Sequence, residues 1–500
     1  MSAITLLVRG ARVLDPLSPE PRPALRDIAI AGDRIAAVES PGKLTFSEVR
    51  TVNAERMLAI PGLISAHYHS HDTLLKGCFA PMPLEAWLLH AVPPNYPQRS
   101  REEIRARVLI GALEALKSGT TTLQDMATVH PFDPGEVDTV LQAYDDVGIR
   151  CVFAMQVADA PGSRGMPFWD EVIPAQLRSA LASAAVKRGG SARELIAMVD
   201  GERKRHAGRH PRVTWGLGPA TPEACSEEFL QLLAELSTRE KLPLFSHLYE
   251  SRANAVVARR HYPADGGSLV RHLARVGMLG PRLTLAHGVW LKRAEIEELA
   301  ASGAHVALNP LSNLKTKSGV APIRAYLDAG VKLALGTDNS SCSDAQNMFQ
   351  AMKMFALFSG TAGQEAFVAA TAGSAEAVGL GDEIGRLQPG RKADITLLDL
   401  RDPAFVPLND ALRQLVYTEP GRSVRHVIVD GRAVIENGRA TQLDEEALYT
   451  EVEKLMPDLL RDLKAIRKRN ERLMPYVEEA HRRTAAVDVG LERLAPGNPN

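Results

Sequence analysis

Apolar and polar positions follow one another in three different ways along this chain, and the changes between them divide it. From residue 4 to 60, short apolar runs are broken by turns: "ITLLVRGARVLD", "DIAIAGDRIAAV" and "TVNAERMLAIPG". These predict β-strands, with Gly32 and Asp33 favouring a hairpin. From about 61 to 380 each apolar run is followed by a stretch of helical period. The runs are "GLISAHYH", "TTTLQDM", "IRCVFAMQV", "RVTWGLGPA", "LPLFSHLYE", "LTLAHGVW", "AHVALNP" and "VKLALGTD". Eight strands alternating with helices predict an α/β fold, a closed (β/α)8 barrel of TIM type more readily than an open sheet.

Short strands return between 388 and 440 in "ADITLLDL", "VRHVIVDG" and "RAVIENGR". The expected organisation is therefore a small β-sandwich made from both chain ends, 1–60 plus 388–440, beside a barrel of 61–387. Residues 441–500 form a helical tail. In it, "EVEKLMPDLLRDLKAIRKRNERLM" sets Leu and Met at i, i+3, i+4 and i+7, a stripe suited to the protein surface or to a second subunit. An insertion at 159–210 carries turn formers around Phe168 and Trp169, followed by a helical stretch. A lid over the pocket and a solvent-side elaboration are equal readings of it.

Composition narrows the class. With 500 residues, 45% of them hydrophobic and 24% charged, the chain is ordinary globular material and larger than one compact core usually holds. The balance of 59 basic against 60 acidic residues leaves no footprint for nucleic acid or an anionic membrane, so a small molecule is the expected partner. Cys78, Cys151, Cys225 and Cys342 are widely spaced with no CxxC pair, which fits a reduced, cytoplasmic setting. The first residues, "MSAITLLVRGARVLDPL", interrupt their apolar stretch with Arg9 and Arg12, so neither a signal peptide nor a membrane span is expected.

Chemistry concentrates at the ends of the predicted strands. In "PGLISAHYHSHD", His67 and His69 fall on one face of a strand, ~6.6 Å apart along it, and can share a metal ion at its carboxyl end. An exposed polar face is as good a reading of that alternation alone. His71 lies in the following loop, as a pocket-lining or a surface residue. "FSHLYES" sets His247 at the fifth strand end with Glu250 three residues on; "LAHGVW" and "ALGTDNS" set His287 and Asp338 at the sixth and eighth. Ionisable groups in apolar strands are costly unless paired or bound to metal, and barrel strand ends are where catalytic residues gather. Singly, His287 reads as a core histidine, Asp338 as a helix cap and Glu250 as a helix-opening surface carboxylate; together they read as a site.

With "HDTLLKG", "MPLEAWL", "HLYES", "AHGVWL", "NPLSNLKTKSGVAPI", "LGTDNSS", "GRLQPGRKADITLLDL" and "VRHVIVDGRAVIENG" following in order, the sequence resembles the amidohydrolase superfamily, in its cytosine deaminase and chlorohydrolase branch. The resemblance implies a barrel holding one divalent metal, usually zinc and sometimes iron, on residues matching His67, His69, His247 and Asp338. It implies hydrolysis by metal-activated water. Asp338 would act as base, Glu250 as proton carrier, and His287 would hold the nucleophile or steady the oxyanion. Family members commonly form oligomers, and a homo-oligomer is expected. Trp87, in "MPLEAWL", belongs by the pocket mouth or in the core; Trp169, in the insertion, is a second candidate for substrate contact.

The substrate is less legible. Nucleoside-type deaminases of the branch often carry a histidine where "GPATPEACS" has Ala220, and an acidic residue where "AVPPNYPQRSREE" presents no obvious one. Both departures count against adenosine-like and S-adenosylhomocysteine-like substrates. The leading expectation is deamination of an amino-substituted heterocycle. The alternative is hydrolysis of an amide, urea, carbamate or carbon-halogen bond at the same centre. A metal-binding scaffold without activity is a third reading, against which Glu250 argues, since a scaffold needs no proton carrier.

Overall fold

In the computed structural model, residues 3–46, 48–161, 165–178 and 190–494 are described. The insertion expected at 159–210 falls partly outside them, at 162–164 and 179–189.

The fold is α/β with parallel sheets. One hydrogen-bonded sheet of nine strands draws on both chain ends: Leu6–Val13, Leu25–Ala31, Arg34–Glu39, Arg50–Asn53 and Met57–Pro61 join Ile395–Asp399, Val424–Val429, Arg432–Glu436 and Arg439–Ala440. The ends meet where Met57–Pro61 runs antiparallel to Ile395–Asp399, with Ala59 opposite Leu397. Gly32 and Asp33 make the hairpin expected of them, Ala31 pairing with Arg34. This sheet packs an apolar cluster of its own, including Ile28, Ile30, Val8, Ile395 and Ile428.

From Pro61 the chain passes directly into the parallel strands. We label these β1 (Leu63–His69), β2 (Thr120–Ala127), β3 (Arg150–Val157), β4 (Val213–Trp215), β5 (Leu244–Leu248), β6 (Leu283–His287), β7 (His305–Leu308) and β8 (Lys332–Leu335). Strands β1 and β6 are buried along their whole length, as befits strands covered on both faces, which is why they read as near-continuous apolar runs. The strands β1 to β4 pair in sequence order, and so do β5 to β8. A parallel bridge between Leu217 and Leu244 links the two groups after β4. Beyond β8, the short strand Asp338–Asn339 pairs with Tyr68 and His69 of β1. Gly336 permits that approach: a Cβ there would lie 2.4 Å from Asn309 Oδ1 and 2.7 Å from the His67 carbonyl oxygen.

Four helices matter to the site: α1 (Leu84–Ala91), α2 (Pro310–Lys315), α3 (Glu445–Asn470) and α4 (Met474–Ala486). Asp444 caps α3 by accepting from Ala447 N–H. The stripe of α3 buries Leu459 and Leu463 against Leu74, Leu75, Phe79 and Trp87, so part of the tail's apolar face is covered within this chain. Among the described residues no helix is long and apolar enough to cross a membrane.

A buried ion-pair group ties β3 to the two-ended sheet. Arg150 donates from Nε and Nη2 to both oxygens of Asp394, and from Nη2 to Asp430 Oδ1 at 2.5 Å. Removing the cation strands the buried carboxylate of Asp394, so Arg150→Met is expected to cost about 3–5 kcal/mol in urea unfolding. A loss under about 1 kcal/mol would show that the pair holds nothing together.

Candidate active site

The carboxyl ends of β1, β5, β6 and β8 bring His67, His69, His247, His287 and Asp338 together, all but His247 at 2% exposure or less. His67 Nε2 lies 3.4 Å from Asp338 Oδ1, and His69 Nε2 lies 3.5 Å from the same oxygen. The ring centroids of His67 stand 4.7 Å from His69, 4.8 Å from His247 and 5.3 Å from His287. Glu250 joins from the loop after β5, its Oε2 3.5 Å from His287 Nε2. His287 and Asp338 have φ of 73° and 59°, a left-handed backbone that L-residues adopt at a cost of about 1–3 kcal/mol each, at the kind of place where such strain collects.

For His69, His247 and His287, outer groups set which nitrogen faces inward. His69 Nδ1 is 2.7 Å from the Met126 carbonyl on β2, and His247 Nδ1 is 2.6 Å from the Ala220 carbonyl after β4. Only an N–H can satisfy a carbonyl oxygen, so both Nδ1 atoms carry the proton and both Nε2 atoms offer lone pairs. Those two Nε2 atoms face each other at 3.3 Å. The Nε2 atoms of His67 and His287 are buried without a hydrogen-bond partner. Lone pairs converging in a dry pocket beside a carboxylate call for a cation, and three imidazoles with one carboxylate fit a divalent ion such as zinc that keeps a position open. Ligand-sized groupings here include His67 with His69 and Asp338, and His67 with His247 and His287.

Burial leaves the imidazoles neutral. It pushes His69 and His287 down to about 4 and lowers His67 and His247 as well. The two carboxyls are driven apart. Burial, then the charge of Asp338 and that of Glu85, raise Glu250 well above the usual carboxylate range. Burial opposes ionisation of Asp338 too, but the facing rings of His67, His287 and His69 outweigh it and hold Asp338 low. Two carboxyls at one centre are thus pushed in opposite directions, the arrangement that separates an acid from a base.

The remaining candidates sit elsewhere. His71 flanks the cluster, its ring centroid 5.1 Å from His69 and its Nε2 3.2 Å from Asn339 Nδ2, while its Nδ1 is buried without a partner. Trp87 is 5% exposed and packs in the apolar cluster under α3; its indole N–H donates to Ser341 Oγ at 2.9 Å. Trp169 lines a cavity with Phe168, Cys225, Arg260 and His272 in which none of the clustered histidines takes part.

Several supporting residues escape the sequence reading. Ser312 donates to Asp338 Oδ2, and Asn313 Oδ1 stands 2.9 Å from His287 Nδ1, both from α2. Asp125 on β2 accepts from Ser70 N–H at 3.0 Å and from Tyr144 O–H at 2.7 Å, pinning the turn that follows His69. Asp72 accepts from Ser340 N–H and Ser341 N–H, joining the exits of the first and last strands. Ser312 and Asn313 belong to "NPLSNLKTKSGVAPI", whose length and order were the signal; Asp125 in "TTTLQDM" was a lone acid in an apolar strand, the same signal that marked Asp338.

Comparison with known proteins gives a consistent picture. The profile of the amidohydrolase family matches residues 58–434. A 5-methylthioadenosine/S-adenosylhomocysteine deaminase of Moorella thermoacetica is 33% identical over 439 residues, covering 86% of this chain and 94% of that protein. The crystal structure of an adenosine deaminase from Xanthomonas campestris with bound zinc superposes with a TM-score of 0.79 at 24% identity, covering 92% of this chain and 99% of the other. The atrazine chlorohydrolase of Arthrobacter aurescens TC1, complexed with zinc, does so with a TM-score of 0.76 at 26% identity, covering 91% of this chain and 100% of that one.

Proposed function

The chain belongs to the amidohydrolase family, and from that premise we propose that it is a metal-dependent aminohydrolase, releasing ammonia from an amino-substituted heterocycle. The observation that carries this reading is the convergence of His67, His69, His247, His287 and Asp338 at the strand ends, with Glu250 Oε2 3.5 Å from His287 Nε2. We take the parallel strands as a closed (β/α)8 barrel, with the two-ended sheet as a unit of its own. The pairing of Asp338 with Tyr68 and the bridge at Leu217 support closure.

In this reading His67, His69, His247 and Asp338 hold one divalent ion, zinc by the nature of the donors. When bound, the ion supplies Lewis acidity that brings the ionisation of water close to neutral pH. Asp338, kept ionised, accepts the proton of the attacking water. Its second oxygen is held by Ser312, which fixes the direction of the first. His287 gives its Nδ1–H to Asn313, so its Nε2 is an acceptor suited to hold that water rather than to donate to an oxyanion. Glu250 would deliver its proton to the ring nitrogen, Asp338 would return the proton taken from water to the departing amine, and Glu250 would regain a proton from the new hydroxyl, work typically worth about 10²- to 10⁴-fold.

The test is ammonia release by purified, zinc-replete protein across aminopurines, aminopyrimidines and aminotriazines. Ammonia from at least one class is expected; none from any would end the deaminase reading. Because the chlorohydrolase shares this fold at 26% identity, chloride release from a chlorotriazine is the second reading, read in the same assay by ion chromatography.

A further inference from the structure

We propose that Gln156, turned by Thr128, is the substrate-reading group of this site, and that it selects a ring carrying an oxo group over one carrying an amino group at the position it reaches. The inference rests on the aminohydrolase reading above for the kind of molecule bound, and it deepens that reading by naming the feature recognised.

Side chains alternate along β3, and their packing shows which way each set points. Val152 and Ala154 share a cluster with Ile64, Met126, Phe245 and Ala307 from four other parallel strands, which marks the inner face. Phe153 and Met155 belong instead to the cluster that holds Val140 and Tyr144 of the helix after β2. Gln156 therefore points inward, as does His247, two residues beyond Phe245 on β5. Gln156 is also the one residue of β3 that is not buried. An inward side chain at the carboxyl end of such a strand has only the mouth of the fold to open onto.

Register places it beside the histidines. On one side, β2 pairs Met126 with Ala154, and the Met126 carbonyl holds His69 Nδ1 at 2.7 Å. On the other, the short strand Gly218–Pro219 pairs Gly218 with Gln156, and the Ala220 carbonyl holds His247 Nδ1 at 2.6 Å. Gln156 thus lies between the levels of the two carbonyls, on the strand that separates them. The rings they anchor stack at 5.3 Å with their Nε2 atoms 3.3 Å apart. The amide therefore projects between the anchors of two of the proposed metal ligands, and neither Gly218 nor Ala220 has a side chain able to fill the space beside it.

Thr128, just after β2, sets which end of the amide is free. Its hydroxyl donates to Gln156 Oε1 at 3.3 Å. Nε2 bonds to no described residue, so both of its N–H groups remain unused. Such donors are satisfied by an acceptor and repelled by another donor. Thr128, Gln156, Gly218 and Ala220 are all uncharged, so the matching group on this wall is a neutral carbonyl oxygen rather than an anion. Thr128 acts through Gln156 and is a positioning residue.

Ammeline and melamine share one triazine ring and differ by an oxo group in place of one amino group. Binding of each is measured by equilibrium dialysis against zinc-replete protein carrying Glu250→Gln, so that hydrolysis does not deplete the ligand. Ammeline is expected to bind about 10- to 100-fold more tightly. Adding Gln156→Leu should erase the preference, and adding the near-isosteric Gln156→Glu, which presents acceptors alone, should reverse it. Thr128→Val frees the amide to turn and should lose most of the preference, whereas Thr128→Ser, which keeps the hydroxyl, should retain it. Thermal melts and zinc content should be unchanged in each.

A preference that survives Gln156→Leu would be steric and would overturn the inference, as would ammeline binding no better than melamine or neither ligand binding. Tighter binding of melamine would mean that the amide turns its oxygen to the pocket, and would overturn it equally. Ammonia released by the wild type without a preference that depends on Gln156 would sink this inference alone. A preference erased by Gln156→Leu with no ammonia released from any heterocycle would leave Gln156 in its role and sink the aminohydrolase reading instead.

Discussion

Glu250→Gln is expected to lower turnover by about 10²- to 10⁴-fold without loss of bound zinc. The reason is chemical rather than structural. Burial and the neighbouring negative charges of Asp338 and Glu85 keep a proton on Glu250, and Gln has the shape but no proton to give. Glu250 is not one of the groups whose nitrogens converge on Asp338 Oδ1, and Gln keeps its shape, so His67, His69 and His247 are expected to stay in place. Zinc is counted by mass spectrometry and turnover by ammonia release, with a thermal melt to establish folding. Near-normal turnover in the variant would remove Glu250 from the mechanism.

Stripping the metal is expected to abolish turnover and zinc to restore it, whereas in His67→Ala zinc is expected to fail to restore it. Removing outer-shell partners of metal ligands commonly costs about 10- to 100-fold in affinity, and loss of an inner imidazole exceeds that. His67 is the ring whose centroid lies within 5.3 Å of each of the other three, and its inward nitrogen is buried with no other partner. The measurement is zinc stoichiometry after chelation, dialysis and reloading. One tightly held zinc in His67→Ala would take His67 out of the ligand set, even if activity were low.

Five of the six residues stood out because each puts a costly ionisable group at or just beyond the end of an apolar strand, Glu250 because it follows His247 by three residues, and the strand-helix alternation sends all those ends to one side. The hairpin at Gly32 and Asp33 and the tail helices were legible for equally local reasons. Trp87 and Trp169 show the limit. An aromatic residue satisfies a core or a pocket equally well on composition, and only packing reveals Trp87 under α3 with its N–H spent on Ser341. Glu85 was hidden differently. It sits inside the quoted "MPLEAWL", but an acidic residue near the start of a helix looks like a favourable dipole contact until Ser251 and His481 close around it.

Ala220 is instructive in the same way. Its side chain marks a departure from nucleoside-type relatives, yet its carbonyl is what fixes the tautomer of His247. Side-chain identity is read from sequence; the service of a backbone oxygen is not.

The sequence by itself determined the alternation of strand and helix, the side of the fold where chemistry gathers, and the residue types gathered there, because periodicity and side-chain chemistry are local properties. Only the tertiary structure decided that the surroundings push Glu250 up and Asp338 down, which nitrogen of His69 and His247 turns inward, and that the C-terminal tail reaches Glu85. Those depend on desolvation and on the fields of neighbours far apart along the chain, sums that no short stretch of sequence contains.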